Sequence, residues 1–368
     1  MDEKYMRRAI ELARKGEGHV NPNPLVGAVI VRDGEILAEG YHARYGDLHA
    51  ERSAFANLKT DATGAEMYVT LEPCCHYGKQ PPCTQAIIEH GIRKVYVGSD
   101  DPNALVAGKG IRQLQDAGIT VETHVLKEEC DALNDVFFHY ITTHTPYVVM
   151  KYAMTADGKI AARTGDSKWI TGESARKKVQ ELRHQYMGIM AGIGTVLADD
   201  PMLNVRIPGL KSPVRIICDS GLRIPMDSQI VKTAKEYRTI VAYAGENSGE
   251  GCKETEKKAE QLHAAGVETV SVPDADGRVD LRKLMEYLGK QGIDSVLLEG
   301  GGTLNDAALS AGIVNEICAF IAPKIFGGAG AKTPVSGIGV AHPAEAVMLT
   351  LRQMETIGDD LMLRYSVD

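Results

Sequence analysis

The chain has 368 residues, 44% hydrophobic and 24% charged, with a formal net charge of −8, long enough for two separate cores. Lys and Arg number 15 against 21 Asp and Glu up to Thr145, and 26 against 28 beyond it, so neither half carries the basic footprint of a nucleic-acid binder. No apolar run reaches the roughly 18 residues of a membrane helix, and residues 1–17 are a charged amphipathic pattern without a signal-peptide core, which points to the cytoplasm.

After that opening helix, the alternation of apolar runs predicts strands over Leu25–Val31 and Glu35–Tyr41, joined as a hairpin across Asp33-Gly34. A helix over Ala50–Leu58 follows, then strand Glu66–Leu71, helix Thr84–His90, strand Lys94–Gly98, helix Gly110–Ala117 and strand Ile119–Thr123. This order predicts an α/β three-layer sandwich. A last helix over Leu126–Thr142 runs to Pro146, where the N-terminal domain is expected to end, giving domains 1–145 and 146–368. Beyond it, strands are predicted near Tyr147–Met154, Met187–Ala191, Val214–Cys218, Thr239–Tyr243, Thr269–Val272 and Ser295–Glu299, with helices at Glu173–Gln185, Cys252–Ala265 and Asp280–Lys290. A mostly parallel sheet is the expected result.

Three of the seven cysteines, Cys74, Cys75 and Cys83, crowd into ten residues, which suits a metal better than a disulfide framework. His49-Ala50-Glu51 followed by Pro73-Cys74 and Cys83 supplies one imidazole and two thiolates, three zinc ligands with a fourth position open for water. Glu51, two residues from the first ligand, is placed to move a proton as general acid and base. This is the H-x-E and P-C pattern of the zinc deaminases, with the second Cys nine residues on instead of three. A closed structural zinc or plain buried polar residues are the alternatives, and Cys75 is an alternative ligand beside Cys74. In the second half, Gly192-Ile193-Gly194 lacks the third glycine of a dinucleotide fingerprint. Instead, strand Ser295–Glu299 runs into Gly300-Gly301-Gly302-Thr303-Leu304-Asn305, a side-chain-poor helix start of the kind a pyrophosphate needs. Gly301 to Asn305 are therefore candidate cofactor contacts.

The long segment from Cys74 to Cys83, together with Asn21-Pro22-Asn23-Pro24-Leu25-Val26-Gly27-Ala28-Val29-Ile30-Val31, resembles the deaminases of riboflavin biosynthesis. Lys151 to Lys159 and Gly165 to Thr171 resemble the opening of reductases with the dihydrofolate reductase fold, so the whole chain is similar to the bifunctional deaminase-reductases of that pathway. The resemblance implies a cytidine-deaminase-like domain followed by a dihydrofolate-reductase-like one, with one Zn²⁺ per chain and NADPH as cofactors. It implies that Asn23, His42, His76, Lys79 and Asn103 bind the pyrimidine nucleotide in the first domain. In the second it implies that Ala153, Trp169, Thr195 and Asp199 contact NADPH, with Ser220 at its 2′-phosphate. Lys151, Ser167, Arg183, Leu203, Arg206 and Glu299 would hold the ribosyl phosphate and base. For Arg183 a surface helix charge is the competing expectation, more so than for Arg206. The partner implied is a small phosphoribosyl pyrimidine, with no nucleic acid or membrane, and the assembly expected is a homo-oligomer. A tRNA or nucleoside deaminase would share the N-terminal motif, but the acidic balance and the long Cys74 to Cys83 segment argue against it. A protein that only senses NADPH is the non-enzymatic rival.

Overall fold

The structure is a computed structural model that describes residues 2–78, 80–245 and 250–368, with 250–252 as backbone alone. By contact density it divides into two compact units, Met1–His144 and Thr145–Asp368.

In the first unit α1 (Glu3–Arg14) is started by Asp2, whose carboxylate accepts from the amide of Lys4 at 3.1 Å. Strands β1 (Gly27–Arg32) and β2 (Glu35–Tyr41) pair antiparallel around Asp33 and Gly34, both at positive φ, as a tight hairpin needs. There follow α2 (Ala50–Ala56), β3 (Glu66–Leu71), α3 (Cys83–Glu89), β4 (Lys94–Ser99), α4 (Lys109–Asp116), β5 (Thr120–Glu122), α5 (Lys127–Asp131) and α6 (Asp135–Thr143). The sheet order is β2-β1-β3-β4-β5, with β3, β4 and β5 parallel. Ile30, Met67, Val69 and Val97 pack with Ala54, Ile87 and Leu114 of α2, α3 and α4 on one face; Val29, Val31, Tyr68 and Tyr96 pack with Met6 and Ile10 of α1 on the other. The three layers follow from strands that are apolar on both faces. One helix expected over Leu126–Thr142 is instead α5 and α6. Between them Asn134 leaves helical geometry and uses its side-chain amide to bond the backbone N and O of Leu25 at 2.8 and 3.0 Å.

The second unit contains β6 (Tyr147–Thr155), α7 (Glu173–Gln185), β7 (Gly188–Gly192), α8 (Ile193–Asp199), β8 (Val214–Cys218), α9 (Gln229–Lys232), β9 (Thr239–Tyr243), α10 (Glu250–Ala264), β10 (Glu268–Ser271), α11 (Leu281–Lys290), β11 (Ser295–Leu298), α12 (Gly302–Ser310), β12 (Glu316–Ala322), β13 (Leu349–Ile357) and β14 (Asp360–Val367). Among the described residues the strands form one nine-stranded sheet in the order β10-β9-β8-β7-β11-β6-β12-β14-β13. It is parallel as far as β12, and β14 and β13 then run antiparallel at the edge. Leu284, Leu288 and Ala308 of α11 and α12 cover one face, Val196, Ile230 and Leu262 of α8, α9 and α10 the other.

Candidate active sites

His49 is the N-cap of α2, Cys74 lies in the loop after β3, and Cys83 is the first residue of α3. The amide of Cys83 donates to Cys74 Sγ at 3.4 Å, so the positive end of α3 faces that sulfur. His49 Nδ1 lies 3.5 Å from Sγ of both cysteines, and the three ligand atoms are within 4.8 Å of one another. Hydrogen bonding from Cys83, with His49 nearby, pulls the Cys74 thiol down to about 4, while the same contact and burial push Cys83 well up. A cation held between the two sulfurs would stabilise both as thiolates, which is the chemistry zinc supplies to such a ligand set. Glu51, in the first turn of α2, is 3% exposed, and burial together with the Cys74 charge raises its carboxyl above the usual range.

A cavity of about 270 Å³ opens on these groups, lined also by Asn23, His42, His76 and Asn103. His42 Nδ1 faces the carbonyl of Leu48 at 3.0 Å and must donate to it, so Nε2 accepts from Asn23 Nδ2 at 3.1 Å. Burial keeps that imidazole neutral by lowering its pKa. The buried Nδ1 of His76 has no partner among the described residues. Asn103 forms a turn, its Oδ1 accepting from Leu105 N at 3.0 Å. Lys79 lies outside the described residues. Cys75 donates to Leu105 O at 3.8 Å and is not part of the ligand cluster.

In the second unit a groove of about 1130 Å³ is lined by Ser167, Thr195, Asp199, Ser220, Gly301, Gly302, Thr303 and Leu304. Helices α8 and α12 both start on it from glycine N-caps, Gly192 and Gly301, which supply no side-chain acceptor. Their first amides therefore remain available to a phosphate oxygen, which fits a dinucleotide pyrophosphate. Three expected cofactor contacts are not on this wall. Asn305 is fully buried beneath it, its Nδ2 donating to Pro334 O at 2.8 Å and its Oδ1 unpartnered. Ala153 is half-buried on β6. Trp169 is 60% exposed, with the Arg176 guanidinium 4.7 Å from its ring centre.

Of the expected substrate residues, Ser167 lines this groove, whereas Lys151, Arg183 and Glu299 form a separate cluster. Arg183 donates to both oxygens of Glu299, at 2.6 and 3.1 Å, and to Asn204 O at 3.1 Å. Lys151 Nζ lies 3.5 Å from the same carboxylate. Arg183 is only 13% exposed on its side chain, so it is no surface helix charge, and its fork is occupied by Glu299. Burial alone would raise the Glu299 pKa, but the Arg183 and Lys151 charges outweigh it and hold the group at about 2. Arg206 is different: its amide donates to Gln180 Oε1 at 2.9 Å, while its exposed guanidinium has no partner among the described residues. Leu203 is buried at φ 48°.

Comparison with known proteins supplies the decisive observation. Residues 1–99 match the cytidine and deoxycytidylate deaminase zinc-binding region, and residues 146–363 match the RibD C-terminal domain. The riboflavin biosynthesis protein RibD of Actinobacillus pleuropneumoniae is 57% identical over 366 residues, covering 100% of this chain and 95% of that protein. The Escherichia coli RibD is 40% identical over 375 residues, covering 98% of each. Among solved structures, Acinetobacter baumannii RibD aligns with a TM-score of 0.87 at 35% identity, covering 100% of this chain and 98% of that one. A Thermotoga maritima diaminohydroxyphosphoribosylaminopyrimidine deaminase/5-amino-6-(5-phosphoribosylamino)uracil reductase gives 0.86 at 37%, with the same coverage.

The chain belongs to the RibD family. It is accordingly a bifunctional deaminase and reductase of riboflavin biosynthesis, with a zinc-binding deaminase region and the NADPH-using reductase of that family. Several residues that shape these RibD-type sites carried no sequence signal. Asp101 lines the deaminase cavity, and burial pushes its carboxyl up to about 6. Glu72, the residue before Pro73-Cys74, accepts from the amides of Gly108, Gly110 and Ile111 at 2.9, 3.0 and 3.2 Å, fastening the start of α4 to the ligand loop. Gly110 makes that approach: a Cβ there would stand 2.1 Å from Pro73 O. Isolated acidic residues in loops look alike in sequence; only the fold shows which carboxylates end against a helix terminus.

Proposed function

We propose that residues 1–145 deaminate 2,5-diamino-6-(5-phosphoribosylamino)pyrimidin-4-one by hydrolysis and residues 146–368 reduce the product with NADPH. The observation that carries the first step is the convergence of His49 Nδ1, Cys74 Sγ and Cys83 Sγ beside the buried Glu51 carboxyl at one end of a cavity. Zinc held by those three residues would supply a water acidified to a pKa of about 7. Glu51, protonated more readily than an ordinary carboxyl, takes the water's proton and delivers it to the departing amine, so water and the aminopyrimidine become ammonia and the pyrimidinedione. Asn23, held in place by His42, and His76 and Asn103 present hydrogen-bonding atoms to the pyrimidine, and Lys79 completes the set that binds the nucleotide.

In the second step the ribosyl C1′ gains hydride from NADPH and the ring oxygen gains a proton, giving the ribityl chain of 5-amino-6-(5-phosphoribitylamino)uracil. Gly301 to Leu304, Thr195, Asp199 and Ser220 form the cofactor groove, with Ala153 and Trp169 as further contacts to NADPH and Asn305 supporting the glycine loop from below. The free guanidinium of Arg206 suits the substrate phosphate. Arg183 acts through Glu299, which with Lys151, Ser167 and Leu203 borders the sugar and base. Free thiols without a disulfide among the described residues support a reducing compartment, the cytoplasm. The exposed edge of β13 supports self-association: a one-residue bulge after Leu351 puts Leu349, Leu351 and Met354 on the face that also carries Leu363 and Tyr365. Leu351 and Met354 are 53% and 67% exposed, and an open apolar edge of this length needs a cover.

The test is a two-step product assay on purified protein with zinc quantified. Ammonia release that tracks zinc content, followed by NADPH oxidation only after deamination, is the expected result. NADPH binding without turnover would instead identify a sensor.

A further inference from the structure

NADPH differs from NADH by one phosphate on the adenosine 2′ oxygen, so preference for it requires cations at the adenosine end of the groove. Ser220, which follows β8, is the residue assigned to that end. Its Oγ accepts from the amide of Val279 at 3.2 Å, which brings the 274–280 turn against the β8 end. Arg278 immediately precedes that amide, and Arg223 is three residues beyond Ser220. Both line the groove and both are exposed.

The turn carrying Arg278 is braced. Asp274 Oδ1 accepts from the amides of Asp276 and Arg278 at 2.9 and 2.7 Å, and Pro273 and Val279 form a β-bridge. The Arg278 guanidinium itself has no partner among the described residues. Arg223 is held only loosely, its Nε 3.9 Å from the buried Asp219. The neighbouring carboxylates are mostly committed elsewhere: Asp274 to its own turn, and Asp280 to the amides of Arg282 and Lys283 and to Lys283 Nζ. Asp276 is the exposed acid that remains, one negative charge against two positive.

The other two cations on the groove are differently employed. Arg282 Nε donates to Ala311 O at 2.7 Å. Lys332 precedes Thr333, whose carbonyl lies beside the Cβ position of Gly302, so it belongs to the pyrophosphate end. We infer that Arg223 and Arg278 form a guanidinium pair around Ser220 that holds the cofactor 2′-phosphate and sets the preference for NADPH over NADH. The inference rests on the groove being the cofactor site. Two planar forks meeting one phosphate give the charge-assisted, bidentate contacts that Ser220 alone cannot.

The full-length protein is titrated with adenosine 2′,5′-bisphosphate and with AMP by calorimetry, and kcat/KM is measured with NADPH and NADH. Arg223→Ala and Arg278→Ala are each expected to weaken the bisphosphate and NADPH about tenfold or more, leaving AMP and NADH within about twofold. Lys332→Ala should weaken all four alike. Arginine variants that change NADPH and NADH in equal proportion, or a wild-type protein that binds AMP as well as the bisphosphate, overturn the inference. Gly301→Val separates the two levels. If it leaves nucleotide binding intact, the groove is not the cofactor site and the inference falls with it; if it abolishes binding while the arginine variants keep the NADPH preference, the groove stands and the inference alone fails.

Discussion

His49 and Glu51 stand two positions apart at the start of one helix, and their different jobs follow from helix geometry. The N-cap residue lies at the helix mouth among the sulfurs, whereas the residue in the first turn sits buried at the end of the cavity beside them and loses most of its water. Glu51→Gln should keep the metal and lower deamination by roughly 10² to 10⁴ with reduction untouched, the span a lost general acid and base costs; loss of zinc in this variant would make Glu51 a ligand instead. Cys83→Ser should lose metal and deamination together, as read by zinc quantitation, while Cys75→Ser keeps both. A pH effect belongs to Glu299, whose pKa in the folded chain is about 2 against an ordinary 4.5. A depressed carboxyl stabilises the fold above its ordinary pKa and loses that contribution as pH falls from about 4.5 towards 2, here on the order of 3 kcal/mol. Urea midpoints measured across that window should fall steeply for the wild type and flatten for Glu299→Gln; equal slopes would dissolve the argument. Ligand-type residues at motif spacing are legible at this scale because their chemistry is local. The Glu299 partnership is not: Arg183 lies 116 residues away and reads in sequence as one more charge on a polar helix.

At the scale of elements, helix α4 is positioned by a carboxylate from the loop after β3, since three amides at its start end on Glu72. Glu72→Ala should cost about 1–3 kcal/mol for the orphaned amides and weaken zinc, because Cys74 sits two residues away in the loop that the contact fixes. Chelator competition reads the zinc term and thermal melting the stability term; a loss of stability with unchanged zinc affinity would confine Glu72 to holding the helix. Alternating apolar runs locate most of β1 to β11 and the longer helices, because those elements bury regular faces. The failures have physical causes. Residues 126–142 look continuously helical, yet Asn134 gives up the helix for two bonds to Leu25. Residues 317–322 are apolar throughout, a pattern that fits a buried helix as well as a strand, and the bulge in β13 breaks the alternation that would reveal it. Arg215 is fully buried in β8 without a carboxylate, bonded to Thr233, Thr239 and the carbonyls of Met202, Ile230 and Tyr237. Nothing local to the sequence distinguishes it from a surface arginine.

The whole molecule has two units, each with its own sheet and with packed apolar layers on both sides of it. The order of strands and helices makes that architecture legible in the sequence, because each half alternates apolar runs long enough to close a core. The parallel sheet's antiparallel edge was not legible, and it is this edge that bears on assembly. The β14 strand is covered on both sides by β12 and β13, whereas β13 has β14 alone for a partner among the described residues. On its apolar face no helix follows, and Met348 beside it is also exposed. A second copy meeting the same surface about a twofold axis would bury identical patches and remove both edges at once. A fragment from Thr145 to Asp368 should therefore fold without zinc, reduce the deaminated substrate, and run as a dimer by light scattering, since the edge lies wholly within it. Leu351→Lys with Met354→Lys should give monomers with the melting temperature of the fragment little changed, because both side chains are exposed in the single chain. A fragment already monomeric at micromolar concentration, or a double variant that stays dimeric, would remove β13 as the self-association surface.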